Sequence, residues 1–375
     1  MMRIAFFTDT YHPTKDGVVR AIDNFKKGLE RKGHEVKIFA PSPENEKDKK
    51  NEVIYAPSVQ FPTYPQYRIP IFRENILKEC IEFKPQIIHS HAMVLMALSA
   101  KKAAKKLNVP LVGSFHTFLP YAGHYLTTNQ GLNEWFKKLS WDYLKWLYKD
   151  FDLVLSPSYF CKEVVSKNEI KSELVVPSPI DMDLFKKQKS QRQKKEYILY
   201  FGRVAKEKNL DLVIEIARLK SFEQLNLPLV IAGDGPYREH LIKKVQENKL
   251  NIRFIEKVED KDIPQLYARA YLTINLSEFE TQGLSAIESL AAGVPVLCIK
   301  NTALEELIQN KAGIAEYKEP NLLVLGIKSI FERYGYFSKN AKRQAKKYSI
   351  EDCTKKLLKA YEVALKRKAN KTKQV

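Results

Sequence analysis

Residues 277–296 read SEFETQGLSAIESLAAGVPV. The apolar run LTINLS leads into this stretch, a glycine at 283 turns the chain, a short apolar helix follows, and Gly-Val-Pro opens another strand. Strand, glycine turn, helix and strand make one unit of a parallel sheet. Two glutamates, Glu280 and Glu288, bracket the turn. Acidic residues near a helix N-terminus are favoured by the helix dipole, so their presence alone indicates ordinary helix chemistry. The alternative is a turn that holds a phosphorylated ligand whose hydroxyls need carboxylate partners.

The same alternation runs along nearly the whole chain. RIAFFT, EVKIFAP, QIIHSH, PLVGSF and DLVLSP mark strands in the first half, and YILYFG, PLVIAG, IRFIE, LTINLS and PVLCIK in the second, each pair separated by a helical pattern. Continuous apolar strands between amphipathic helices predict parallel sheets covered on both faces. KKQKSQRQKKE, residues 186–196, has no apolar residue and reads as an exposed linker. The expected division is a first Rossmann-like domain over 1–185, the linker at 186–196, a second such domain over 197–346, and a final helix with a basic tail over 347–375. A chain of 375 residues with 44% hydrophobic content can fill two such cores. Paired doubly wound domains bind ligand where the carboxyl ends of their strands face one another.

The formal net charge is +19, and the segment from Ser338 onward holds 13 Lys and Arg against 3 acids. Such a surface attracts polyanions without selecting among them. The signatures of a dedicated nucleic-acid module are absent, so an anionic membrane surface is the expected macromolecular partner and no specific nucleic acid is. The apolar runs are shorter than the roughly 20 residues that span a bilayer. Cys80, Cys161, Cys298 and Cys353 are scattered, without the paired spacing of zinc or redox motifs. The chain enters a strand-like run at once, without a signal-peptide pattern. These features predict a cytoplasmic protein, able to sit peripherally on the inner face of the membrane. Nothing in the sequence selects an oligomeric state.

All three tryptophans fall in NEWFKKLSWDYLKWLYKDF, among Lys137, Lys138, Lys145 and Lys149. Trp135, Leu139, Tyr143 and Trp146 share one helical stripe, and the spacing predicts core packing. The alternative is an interfacial helix, because tryptophan beside lysine suits a headgroup boundary. KKAAKKL at 101–107 reads as a solvated face that adds charge to the same half.

After the linker, YILYFGRVAKEKNLDLVIEIA ends a strand at Gly202, with Arg203 next and Lys208 near the start of a helix. Cations so placed can clamp a diphosphate. Gly-Asp-Gly-Pro at 233–236 is a turn on conformational grounds alone. In the opening stretch, Gly283 lets backbone approach a ligand, and the N–H groups of Gln282, Gly283 and Leu284 can face a phosphate. Glu288 is placed to accept from a ribose diol, and Glu280 to reach the far end of such a ligand.

Taken together, these motifs resemble the retaining glycosyltransferases of family 4, which have the GT-B architecture of two facing Rossmann-like domains. The family's paired glutamates match Glu280 and Glu288, followed by Gly293-Val294-Pro295-Val296; its FGR with a later lysine matches Gly202, Arg203 and Lys208. FFTDTYHPTKDGVVRAI resembles the family's opening strand and glycine loop, which puts Gly17 near the donor phosphates. SFHTF carries His116 where the family has a histidine lining the sugar site, and the helix around Tyr361 corresponds to one that crosses back to the first domain. ETQGLS, HTFLPYAGHYL and FPTYPQYRIP are similar to diacylglycerol glucosyltransferases, and within HTFLPYAGHYL the candidate acceptor contacts are Tyr121 and His124.

The resemblance implies transfer of a hexose from a nucleoside diphosphate sugar of the UDP-glucose type to a hydroxyl acceptor such as a membrane lipid. Arg203 and Lys208 would stabilise the departing diphosphate, Glu280 and His116 would hold the sugar, and neither cofactor nor essential metal is expected. A soluble sugar or glycan acceptor, or a noncatalytic protein binding anionic surfaces, are the competing readings. Two departures stand out: Pro179 replaces a family glycine, and Glu256 replaces another near the nucleobase. Asp181 and Asp183 have the spacing of a metal pair but precede the linker, which argues against that role. His89 and His91, at a strand end, read as loop-facing structural histidines, with ligands or acid/base groups as the alternative. His12 stays open as a further candidate.

Overall fold

The computed structural model describes residues 1–48, 50, 52–61, 67–71, 74–121, 123, 129–186 and 194–373. His124 and most of the expected linker, 187–193, lie outside the described residues. The chain forms two compact units, one of Met1–Pro179 with Ile350–Val375 and one of Ile180–Ser349.

The first unit carries β1 (Arg3–Phe7), β2 (Glu35–Pro41), β3 (Val53–Ala56), the short antiparallel pair β4 (Ser58–Gln60) and β5 (Arg68–Pro70), then β6 (Ile87–Ser90), β7 (Leu111–Ser114), β8 (Leu153–Ser156) and β9 (Ser172–Val175). Its main sheet is parallel with seven strands in the order β3-β2-β1-β6-β7-β8-β9. Ile4, Ala5, Phe6 and Phe7 of β1 are all fully buried, because helices cover both faces and leave no strand position for water. Phe7 and Phe39 stack on one face with Ile88 and Met96; Ile4, Phe6 and Ile38 lie on the other.

The second core belongs partly to the chain's last helix, Ile350–Lys373, whose Cys353, Leu357, Ala360, Tyr361 and Ala364 join Ile4 and Phe6. This is the helix expected to cross back, and the helix Gly17–Glu30 lies so close to it that a Cβ on Gly28 would meet Thr354 Oγ1 at 2.0 Å. Arg367 anchors its far end, donating to the Glu173 carboxylate and to the Asp152 carbonyl.

In the second unit β10 (Tyr197–Phe201), β11 (Leu229–Ala232), β12 (Ile252–Ile255), β13 (Ala270–Asn275), β14 (Val296–Ile299) and β15 (Gly313–Glu316) form a parallel sheet in the order β12-β11-β10-β13-β14-β15. The order reverses between β10 and β13, the crevice where open α/β sheets take their ligands. Ile180 bridges to Ser349, and Ile180 and Phe185 lie in this unit's core, so the residues just after Pro179 fold with the second unit.

The tryptophan helix corrects the sequence expectation. In Gln130–Tyr148 the buried side is Ser140, Trp141, Leu144, Leu147 and Tyr148, whereas Trp135, Leu139 and Trp146 of the expected core stripe are 63%, 50% and 53% exposed. The helix has two apolar stripes, and periodicity alone could not tell which one faces the sheet.

Candidate active site

The second unit assembles its polar groups on the loops that leave the carboxyl ends of β10 and β13. After β10 the chain turns at Gly202, whose N–H donates to the Ala232 carbonyl, and Val204 N–H donates to the Asp234 carbonyl. The 202–204 and 232–234 loops therefore lie backbone against backbone. A Cβ on Gly233 would sit 2.0 Å from the Gly202 carbonyl oxygen, which explains the Gly-Asp-Gly turn better than any contact with ligand. Arg203 points its guanidinium to Glu207 at 2.5 Å.

Lys208 ends a single 3-10 turn, Lys206–Lys208, and its ammonium meets the Glu280 carboxylate at 2.6 Å. The two side chains are only 17% and 19% exposed, so water screens the pair incompletely. Asn209, held in the left-handed region at φ 53°, starts the next helix and donates to the Leu276 carbonyl just beyond β13. Residues 72 positions apart in sequence are thus joined across the switch point.

Gly283 caps the helix Leu284–Ala292 at φ 94°, a backbone state that side chains disfavour, and an added Cβ would fall 2.4 Å from Leu304 Cδ2. The first turn of that helix leaves N–H groups without intrahelical acceptors and adds the positive end of its dipole. Gln282 is buried beside it. Glu288, one turn in, is also buried and accepts from the Tyr267 hydroxyl at 3.1 Å, while that hydroxyl lies 2.8 Å from the Ser285 carbonyl. Tyr267 is fully buried and was not legible as a site residue, because nothing in IPQLYA sets it apart from a core aromatic.

In the first unit the loops after β1, β6 and β7 gather histidines. His116 follows β7, and its Nε2 lies 2.8 Å from Nδ1 of the buried His91. His89 sits inside β6 and is fully buried, with Nδ1 at 2.8 Å from the Tyr361 hydroxyl and Nε2 at 2.8 Å from Ser114 Oγ. Burial pushes the His116 imidazole down to about 4, and burial with the neighbouring imidazoles holds His89 and His91 well below the ordinary histidine range. All three are neutral at pH 7.

His89 is therefore structural, as expected, but it belongs to a strand and not to a loop. His91 is more than that, since it touches the candidate sugar-site histidine. Among the described residues His91 Nε2 is buried without a partner, and a bare ring lone pair is less costly there than an unpaired N–H. That assigns the Nδ1 proton to His91, the accepting role to His116 Nε2, and the proton of His116 to its Nδ1.

Gly17 opens the helix Gly17–Glu30, with Asp16 accepting from the Val19 N–H at 2.9 Å. Desolvation raises the Asp16 carboxyl above its ordinary range. His12 pairs with Asp23 at 2.6 Å. Tyr121 ends the short turn Leu119–Tyr121, with the Lys137 ammonium 5.3 Å from its ring centre. Asp181 accepts from the Asp183 N–H, and Asp183 pairs with Lys186, so both aspartates have local partners. Glu256 follows β12 and faces Arg238 at 3.8 Å. Among the described residues no group of three or more His, Cys, Asp or Glu could hold a metal ion, and no helix is long and apolar enough to cross a membrane.

Residues 15–184 match the model of Glycosyltransferase Family 4, and residues 181–352 match that of Glycosyl transferases group 1. The chain is 28% identical over 341 residues to the alpha-monoglucosyldiacylglycerol synthase of Streptococcus pneumoniae, covering 86% of this chain and 76% of that protein. It is 27% identical over 377 residues to the enzyme of the same name from Acholeplasma laidlawii, covering 93% and 94%. Among solved structures, sucrose-phosphate synthase from Thermosynechococcus elongatus superposes with a TM-score of 0.74 over 96% of this chain and 98% of that one, at 17% identity. The Anabaena protein HepE in complex with UDP and glucose gives a TM-score of 0.69 over 96% and 100%, at 16% identity.

Proposed function

Because the chain belongs to the family 4 glycosyltransferases, hexosyltransferases of GT-B fold, we propose that it moves glucose from UDP-glucose to the free hydroxyl of diacylglycerol at an anionic membrane surface, with retention of anomeric configuration. The observation that carries this reading is the meeting of Lys208 and Glu280 at the reversal between β10 and β13. A cation for the diphosphate and a carboxylate for sugar hydroxyls are joined where a nucleotide sugar binds in such a sheet. The acceptor class is supported by the two relatives named alpha-monoglucosyldiacylglycerol synthase, whose matches cover 86% and 93% of this chain.

In the reaction the bond between the anomeric carbon and the diphosphate oxygen breaks, and the electron pair leaves with the diphosphate. The acceptor oxygen bonds to the anomeric carbon on the same face, and its proton passes to the departing phosphate oxygen. Negative charge grows on the diphosphate in the transition state. Lys208, Arg203 and the amides at Gly283 stabilise that charge with groups already in place, which is the largest catalytic contribution expected of this site. Glu280, paired with Lys208, orients the sugar, and Glu288, steadied by Tyr267, accepts from the ribose diol.

To the first unit we assign Gly17 as a donor-binding position and His116 as a donor from Nδ1 to a sugar hydroxyl. Tyr121 contacts the acceptor. The charge stabilisation comes from side chains, so activity persists in excess chelator. The test is incubation of the enzyme with UDP-glucose and diacylglycerol in detergent micelles, with the product's linkage read by NMR. An α-linked monoglucosyl lipid is expected; consumption of UDP-glucose only with a soluble sugar acceptor overturns the lipid reading.

A further inference from the structure

The helix Gln130–Tyr148 buries one side in the first unit and carries a second apolar stripe on the opposite side. Leu132, Trp135, Leu139 and Trp146 are 54%, 63%, 50% and 53% exposed, at spacings that place them on one line along the helix. From Leu132 to Trp146 the line runs about 21 Å at 1.5 Å per residue. Single exposed apolar residues are ordinary on protein surfaces, but four in one line, two of them tryptophan, are not. The stripe has no role in the core, because Trp141, Leu144, Leu147 and Tyr148 already supply the helix's packing.

The charge around it selects the occupant. This helix with Lys149 and Asp150, together with the helix Leu95–Leu107, holds eight lysines against three carboxylates, Glu134, Asp142 and Asp150, and Lys145 also pairs with Glu169 at 3.1 Å. Glu134 is engaged by Lys137 at 3.4 Å. Lys102, Lys105, Lys106, Lys138 and Lys149 are exposed. The Lys101 ammonium lies 4.4 Å from the Trp146 ring centre and also pairs with Asp150, so the two helices adjoin at the stripe's C-terminal end. Tryptophan and leucine flanked by lysine fit a boundary that is apolar below and anionic above, since the rings sit at headgroup depth and the ammonium groups reach phosphate. The face of a second copy would present the same positive charge and repel.

We propose that the Leu132–Trp135–Leu139–Trp146 face is the surface by which the first unit lies on an anionic bilayer. The proposal rests on the lipid-acceptor reading, and it assigns that reading a specific part of the molecule. Tyr121, the candidate acceptor contact, lies beneath Lys137 of the same helix, so docking by this face would bring acceptor-side residues to the headgroup region.

The test compares the full chain with the triple variant W135S/L139S/W146S on vesicles of phosphatidylcholine alone and of phosphatidylcholine with equal phosphatidylglycerol. The parent should sediment with the anionic vesicles and be released by salt, with its tryptophan emission shifting to the blue; the variant should lose at least about tenfold in partitioning, since buried apolar area sets interfacial binding. Transfer in detergent micelles should be the same for both, which shows that the variant is folded.

Equal sedimentation of parent and variant overturns the proposal, as does a parent that ignores anionic vesicles. A parent dimer that the variant dissociates, seen by sedimentation velocity, also overturns it by making a second copy the occupant. Failure to glucosylate diacylglycerol while the variant still loses vesicle binding overturns the acceptor and leaves the docking face in place.

Discussion

The two units share one topology and furnish it in opposite electrical states. At the ends of β10 and β13 the side chains meet as ion pairs, Lys208 with Glu280 and Arg203 with Glu207. At the ends of β6 and β7 they meet as imidazoles, His91 with His116, and burial keeps them uncharged. The first arrangement suits a ligand that gains charge during reaction, because fixed cations lower the energy of the charged state most. The second suits directional hydrogen bonds to groups that stay neutral. A doubly wound sheet supplies the crevice in both cases, and a handful of loop side chains decides which chemistry each crevice can serve.

The sharpest way to break the contrast is to remove the cation on the ionic side. Lys208→Ala should lower kcat for UDP-glucose turnover about 10²–10³-fold, the loss typical of one preorganised electrostatic partner. Unchanged turnover would show that the diphosphate is held elsewhere. Next in size, Glu288→Gln should weaken donor binding about tenfold or more, since a charge-assisted hydrogen bond contributes roughly 1.5–3 kcal/mol. Titration calorimetry with UDP reads this directly, and an effect on the lipid acceptor alone would contradict the ribose role.

On the neutral side, His91→Leu should cost roughly tenfold in kcat, near the lower bound for a group that only positions another. His91→Asn, which keeps a donor at the Nδ1 position, should recover most of it. Nitrogen NMR of His116 should show the proton on Nδ1 in the parent and a tautomer mixture in His91→Leu. A merely structural role for His91 would leave the proton of His116 on Nδ1 in the variant as well.

The imidazoles also predict a pH dependence. Their folded values lie below the ordinary 6.5, so the unfolded chain binds more protons as the pH falls below 6.5. The contribution of His116 is complete above pH 6.5 and is lost as the pH falls through about 4, and those of His89 and His91 change in the same direction. Melting temperature should drop across that window, less steeply in His116→Gln. The smallest effect expected is that of Tyr361→Phe, which leaves His89 Nδ1 buried without the hydroxyl and should cost about 1–3 kcal/mol in chemical denaturation, with activity retained.

Much of this was legible in the residues. Strand runs such as RIAFFT and LTINLS announced buried parallel strands because every position in them faces a covered side. The Glu280, Gly283 and Glu288 spacing announced a turn into a helix with acids around it. Less legible were contacts between residues that are not neighbours in sequence: Tyr267 under Glu288, Tyr361 against His89, and His91 beside His116. Each reads locally as a core aromatic or a strand-end histidine. The tryptophan helix was misread for a related reason, since a helix with two apolar stripes has one periodicity and two possible inward faces.

The sequence by itself determined the alternation of strand and helix, and with it the doubly wound class, because local patterns of burial and backbone preference are written residue by residue. It also determined which chemical groups were available: cations after one strand, carboxylates around a glycine after another. Only the tertiary structure decided which of them meet. The strand order brings Lys208 to Glu280, burial makes His116 neutral, and packing turns Trp141 inward while leaving Trp135 and Trp146 in water, since contact and desolvation depend on neighbours that the linear chain does not specify.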